Sequence, residues 1–125
     1  MRALEKWLGV SAVLLALCPG AALAQGANAF DGNYVGVSAT NLGTMGTGTT
    51  SRCVTFSAPG RLTIAAGHAQ SPWSGGTLDG QVSPDGTLRM KSTSFGGTFE
   101  GRITNGTIAG RYTGACSYDL SWRKQ

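Results

Sequence analysis

The sequence predicts an all-β domain: an antiparallel meander of seven to eight short strands, closed into a small barrel or a flattened sandwich. Two hairpins and the spread of glycine lead there. In 98–113 the step Asn105-Gly106 divides two alternating runs, and both central residues of a type I′ turn need positive φ, which Asn and Gly tolerate. Taking that step as the turn sets Ile103 against Ile108 and Phe99 against Tyr112 on one face, and Glu100 against Arg111 on the other. A register one residue off would lose both matches at once. In 82–88, Pro84-Asp85-Gly86 reads as a type I turn with Gly86 as the left-handed bulge residue. It sets Val82 against Leu88 and Gly80 against Met90 inside, with Asp79 opposite Lys91 outside. The chain holds 20 glycines without a Gly-X-Y period, and no segment after the leader keeps an apolar 3.6 period. Turns between strands are the reading that remains.

Residues 1–24 have the layout of a secretory signal peptide. Arg2 and Lys6 come first, then an apolar run over 7–17, then Ala22-Leu23-Ala24 as a small-x-small cleavage site before Gln25. The run is well short of the roughly 20 apolar residues that a membrane-spanning helix needs. A helix is expected over 4–17, detached from the domain. Cys18 sits between Leu17 and Pro19, unlike the small-residue setting of a lipid-modified cysteine, and should leave with the leader. Residues 25–125 remain as a single β domain, exported to the periplasm or beyond the cell. Cys53 and Cys116 are then an even pair in an exported chain, which reads as a disulfide. Closing so long a loop is worth about 4 kcal/mol in the chain-entropy description.

Taken in order, residues 25–28 read as a loose tail and 33–38 as the first strand. The Gly/Thr-rich stretch 40–51 has no period and reads as a long mobile loop. Residues 52–57 read as a second strand with Val54 and Phe56 inward. Cys116 alternates with the inward set whereas Cys53 does not, so an irregular start at Arg52-Cys53 must turn Cys53 in. Pro59-Gly60 leads into 61–65, with Leu62 and Ile64 inward, and Ala66-Gly67 reverses the chain toward a weak strand from His68. Residues 71–76, with Pro72 and two glycines, read as a loop carrying Trp73. That ring is either an exposed contact residue or a plug for one barrel end. The two hairpins follow, and 116–123 alternates strictly with Cys116, Tyr118, Leu120 and Trp122 on one side. With Leu78, these positions supply enough apolar volume for a core. Gly80, Gly101 and Gly110 share the inward face, where bare backbone lets a neighbouring ring lie across the strand and the sheet coil tightly.

Residues with reactive chemistry are few. His68 is the single histidine, flanks a turn, and has no nucleophile of recognisable context beside it. With the cysteines joined, too few ligands remain for a zinc site, and no pair of carboxylates is placed inside for glycosidic chemistry. Gly46-Thr47-Gly48 lacks the Lys-Ser/Thr and following helix of a phosphate loop. No catalytic residue, cofactor or metal is expected. The net charge is +4. On the outer face Arg89, Lys91, Arg102, Arg111 and Arg123 gather, interrupted by Asp79, Glu100 and Asp119. That reads as a solvated, salt-bridged surface, or as a docking face for an acidic partner or anionic envelope polymer. No aromatics interleave there, which argues against single-stranded nucleic acid.

Gly76 to Arg89, Gly110 to Arg123 and the opening Phe30-Asp31-Gly32-Asn33-Tyr34 together resemble small exported β proteins of Gram-negative proteobacteria that have no assigned activity. The shared features are the signal peptide, the Phe-Asp-Gly opening, a Val-x-x-Asp-Gly turn and a late cysteine. The resemblance implies a fold and a compartment, and no catalytic residues. The expected function is a non-enzymatic exported binding or interaction module acting on an unknown protein or envelope component. In shape it is similar to the small barrel inhibitors of proteases and lysozymes, none of whose motifs is present. The alternative is a carrier of a small apolar ligand inside the barrel, favoured if a cavity of a few hundred cubic ångströms opens among the inward residues.

Overall fold

The computed structural model describes residues 29–44, 46–50, 52–94 and 96–125; the expected signal peptide 1–24, its helix and the tail at 25–28 lie outside the described residues. Eight antiparallel strands follow one another as β1 (Gly32–Thr44), β2 (Leu62–Ala65), β3 (His68–Trp73), β4 (Gly76–Val82), β5 (Thr87–Ser92), β6 (Thr98–Thr104), β7 (Thr107–Thr113) and β8 (Cys116–Lys124). Each bonds to the next and β8 returns to β1, closing a barrel. Among the described residues there is no helix.

Both hairpin registers stand as the letters dictate. Ile103 faces Ile108, Phe99 faces Tyr112, Val82 faces Leu88 and Gly80 faces Met90. Asn105 and Gly106 take φ of 51° and 77°, the left-handed pair that a type I′ turn requires. Gly86, at φ 92°, forms the bulge after Pro84-Asp85, and Asp85 accepts the Thr87 amide at 3.0 Å. That bond holds the Asp85 carboxyl below its ordinary pKa. Closure depends on glycine where strands coil: a Cβ at Gly80 would collide with the Arg89 carbonyl. At Gly101 or Gly110 it would lie 2.7 Å from the Phe99 ring, which rests across both strands.

The barrel centre is filled. Trp122, Tyr34, Phe99, Leu62, Ile64, Leu78, Leu88, Ile108 and Leu120 are sealed from solvent, and Phe99 meets Trp122 edge-on at 5.4 Å. Tyr34 joins this core although the inward set read from sequence omitted it; its hydroxyl donates to the Phe30 carbonyl at 2.7 Å. The Asp31 carboxylate accepts the Ala66 and Gly67 amides at 2.7 and 3.1 Å, fastening the β2–β3 turn to the start of β1.

Three expectations for the first half need correction. The strand read over 33–38 runs on to Thr44, so residues 40–44 of the expected loop 40–51 are strand. Bulges between Gly36 and Ser38 and between Asn41 and Gly43 shift the inward phase twice along β1, which erases the alternation that would have marked it. Residues 52–57 form no strand. They belong to an irregular strap, 52–61, that lies alongside β1 through a single ladder-like bond, Ala39 N–H to the Ser57 carbonyl at 3.2 Å. Val54, expected inward, is 73% exposed, because the strap turns Cys53 inward to its disulfide and presents the Val54 carbonyl to Tyr118. Finally, 71–76 is a tight turn rather than a loop. β3 continues through Pro72 to Trp73, and Ser74-Gly75 reverses the chain at φ of 41° and 80°. Pro72 is tolerated there because the β2 ladder ends at Gln70, so its missing N–H breaks no bond to β2.

Candidate functional site

β2 is short. Beyond it the distal parts of β1 and β3 have no strand between them, and the strap fills the gap. Besides the backbone bond from Ala39 to Ser57, its tethers are side-chain bonds and one covalent link. Cys53 and Cys116 are joined, with Cα atoms 5.7 Å apart, inside the range a disulfide needs. Asn41 Nδ2 donates to the Cys53 and Thr50 carbonyls at 3.3 Å. Trp122 Nε1 and Ser71 Oγ both donate to the Gly60 carbonyl, at 2.8 and 3.1 Å. A disulfide of this kind belongs to a non-reducing environment.

Between strap and barrel end lies a half-open cleft of about 790 Å³. Its walls are rings. Trp73 ends β3, Tyr112 lies near the end of β7, and Tyr118 faces Tyr112 from the start of β8. Phe56 hangs from the strap. Trp73 meets Tyr112 at 4.7 Å, Phe56 at 5.6 Å and Tyr118 at 5.7 Å, the last two edge-on; Phe56 meets Tyr118 at 5.0 Å. Trp73 is only 7% exposed, so of its two expected roles it takes the plug, forming a wall of the cleft. The Tyr112 ring packs over Gly97, where a Cβ would collide with its hydroxyl. Val54 stands exposed near Arg52, the single charged residue lining the cleft among the described residues.

Tyr118 links the wall to the strap: its hydroxyl donates to the Val54 carbonyl at 2.7 Å. Burial raises its pKa above the ordinary tyrosine value of 10.0, and nearby Tyr112 adds to the rise. The fold therefore favours the neutral phenol. Its contribution is complete below tyrosine's ordinary value and is lost as pH rises through the higher folded value. A spectrophotometric titration should show a tyrosine ionising late, coupled to a change in Trp73 emission as the strap loosens. Tyr118→Phe should abolish that coupling; an emission change that survives the substitution would assign it elsewhere.

The outer-face candidates come together on the barrel wall, along a shallow groove of about 850 Å³ floored by Gly101, Ala109 and Gly110. Arg89, Arg102 and Arg111 line it, and Lys91 projects from the same strand as Arg89. The expected charge pairings change, although the registers do not. Glu100 lies between Arg89 and Arg111 and bonds Arg89 at 3.2 Å, while Arg111 turns to Asp119 at 2.8 Å. Asp79, expected on Lys91, instead meets His68 Nε2 at 2.8 Å and Gln70 at 3.2 Å. Every outward residue has two cross-strand neighbours, and a hairpin read alone shows one of them. Asp119 raises the pKa of Arg111 by hydrogen bond and charge. Carboxylates thus occupy two of the groove's cations. Glu100→Gln should shift the urea midpoint by less than about 1 kcal/mol equivalent, as for any exposed pair. Charged outward positions on β5 to β7 are also the inverse of the apolar outer band of a membrane-spanning barrel.

Among the described residues no three His, Cys, Asp or Glu side chains converge as metal ligands, and no helix is long and apolar enough to cross a membrane. No protein-family model, curated protein or solved structure matches this chain. The strap and Arg52 are the parts of the cleft that sequence reasoning missed. One signal was present: Ala69, Ser71 and Trp73 alternate as a small-small-ring set, which places Trp73 inward on a strand rather than in a loop.

Proposed function

We propose that this protein is a non-enzymatic exported binding module, and that the aromatic cleft at the barrel end receives its partner. The observation that carries this reading is a recess of about 790 Å³, walled by contacting rings and set over a packed core. Its size falls within the range typical of ligand pockets, and its lining is mostly apolar. The signal-peptide layout, the disulfide and the resemblance to exported proteobacterial proteins support a periplasmic or extracellular setting.

The recessed walls favour a small apolar ligand, carried at the mouth of the barrel rather than at its filled centre. The exposed Val54 on the rim favours a second occupant, an apolar side chain of a partner protein or envelope component. Fluorescence separates them. Trp122 is sealed in the core, so titrating the purified protein with apolar and ring-bearing small molecules should change Trp73 emission alone, saturably, and Trp73→Phe should silence it. If no small molecule saturates the signal, the carrier reading fails. If Val54→Asp and Phe56→Ala also leave capture of envelope proteins unchanged, the cleft is not the binding surface.

A further inference from the structure

We propose that the ligand of this cleft is an amphipathic carboxylate, with an acyl or ring-bearing body against the aromatic walls and its charged end toward Arg52. This rests on the cleft being the binding surface. On the outer wall Arg89 and Arg111 hold carboxylates and Arg102 donates to the Asp85 carbonyl at 3.4 Å, whereas Lys91 and Arg123 have no partner among the described residues. What sets Arg52 apart is its place. It lines the cleft, and among the described residues it has neither a carboxylate partner nor a hydrogen-bond acceptor. Among the described residues no Asp, Glu, Lys or His lines the cleft with it, so their part of the recess presents one uncompensated positive charge beside apolar walls.

The tyrosine hydroxyls are placed elsewhere: Tyr118 donates to the Val54 carbonyl, and the Tyr112 hydroxyl lies against Gly97. A guanidinium lining an apolar recess favours a ligand that brings acceptor oxygens and negative charge. A neutral apolar ligand would leave Arg52 to water, and a cation would be repelled by it.

Matched probes test this: decanoate against decanol, and 4-phenylbutyrate against 4-phenylbutanol, each titrated by Trp73 emission and by calorimetry. At low ionic strength the carboxylate of a pair should bind about three- to fivefold more tightly than its alcohol, the scale of an ion pair at a half-open rim. The ratio should narrow toward unity in about 0.5 M salt and in Arg52→Gln, while the alcohol keeps its affinity and so shows the fold intact. The pair with the greater affinity distinguishes an acyl source from a ring-bearing one. Equal affinity within both pairs, or a ratio that survives Arg52→Gln, overturns the carboxylate assignment and leaves the cleft as a binding surface. If none of the four probes saturates, both the assignment and the small-ligand reading fall.

Discussion

Trp122→Ala is expected to destabilise the domain by about 3–5 kcal/mol, the range for removing a buried ring from a packed core. The indole is wholly buried, faces Ile108 across β7 and β8, and meets Phe99 edge-on. It also donates Nε1–H to the Gly60 carbonyl, so its loss removes a tether of the strap as well as core volume. A domain of this size has a total stability of about 5–15 kcal/mol, so a large part of it rests on this one side chain. Trp122→Phe separates the contributions: it keeps most of the volume and should cost only the hydrogen bond and a small gap. Urea unfolding of the three proteins measures both steps. Near-equal losses for Ala and Phe would place the main effect in the Gly60 bond rather than in packing.

Cys116→Ser should have the second largest effect. Cutting the Cys53–Cys116 link, a sequence separation of 63, returns about 4 kcal/mol of chain entropy to the unfolded state in the loop-closure description. It also frees the strap at its outer end. The eight-strand ladder does not pass through the strap, so the far-ultraviolet circular dichroism should persist in native buffer while Trp73 emission shifts to the red. Ligand affinity at the cleft should fall with it. An unchanged Trp73 spectrum after the substitution would show that hydrogen bonds alone hold the strap.

The second half of the fold was legible because local rules agree there. Asn105-Gly106 and Pro84-Asp85-Gly86 dictate turns, and the alternation of β5 to β8 runs unbroken between them. The first half obscures itself. Two bulges reset the inward phase of β1, and its Gly/Thr-rich end is ordered by pairing with β8, whose strict alternation lies more than 70 residues downstream in the chain. The strap carries apolar letters, Val54 and Phe56, in a strand-like order without forming a ladder. What gave it shape was the need to reach Cys116, Tyr118 and Trp122 from the open side of the barrel. Three of the cleft's rings, Phe56, Tyr112 and Tyr118, were readable as inward; that they gather at one end, with Arg52 beside them, was not.

The pairing of β1 with β8 has a consequence for how the chain comes into being. β1 emerges from the ribosome early, and the strand that completes it ends at Lys124, about 80 residues after Thr44. At roughly 5–20 residues per second, its longer edge waits some seconds for a partner. Every other strand finds its neighbour within one hairpin, so the sheet zips locally and the final seam is the slow, non-local step. During that interval the chain offers an unpaired edge and an unclosed core, a form compatible with threading through a secretion pore. A nascent chain halted before residue 116 should therefore stay protease-sensitive throughout, and resistance should appear only when β8 is released.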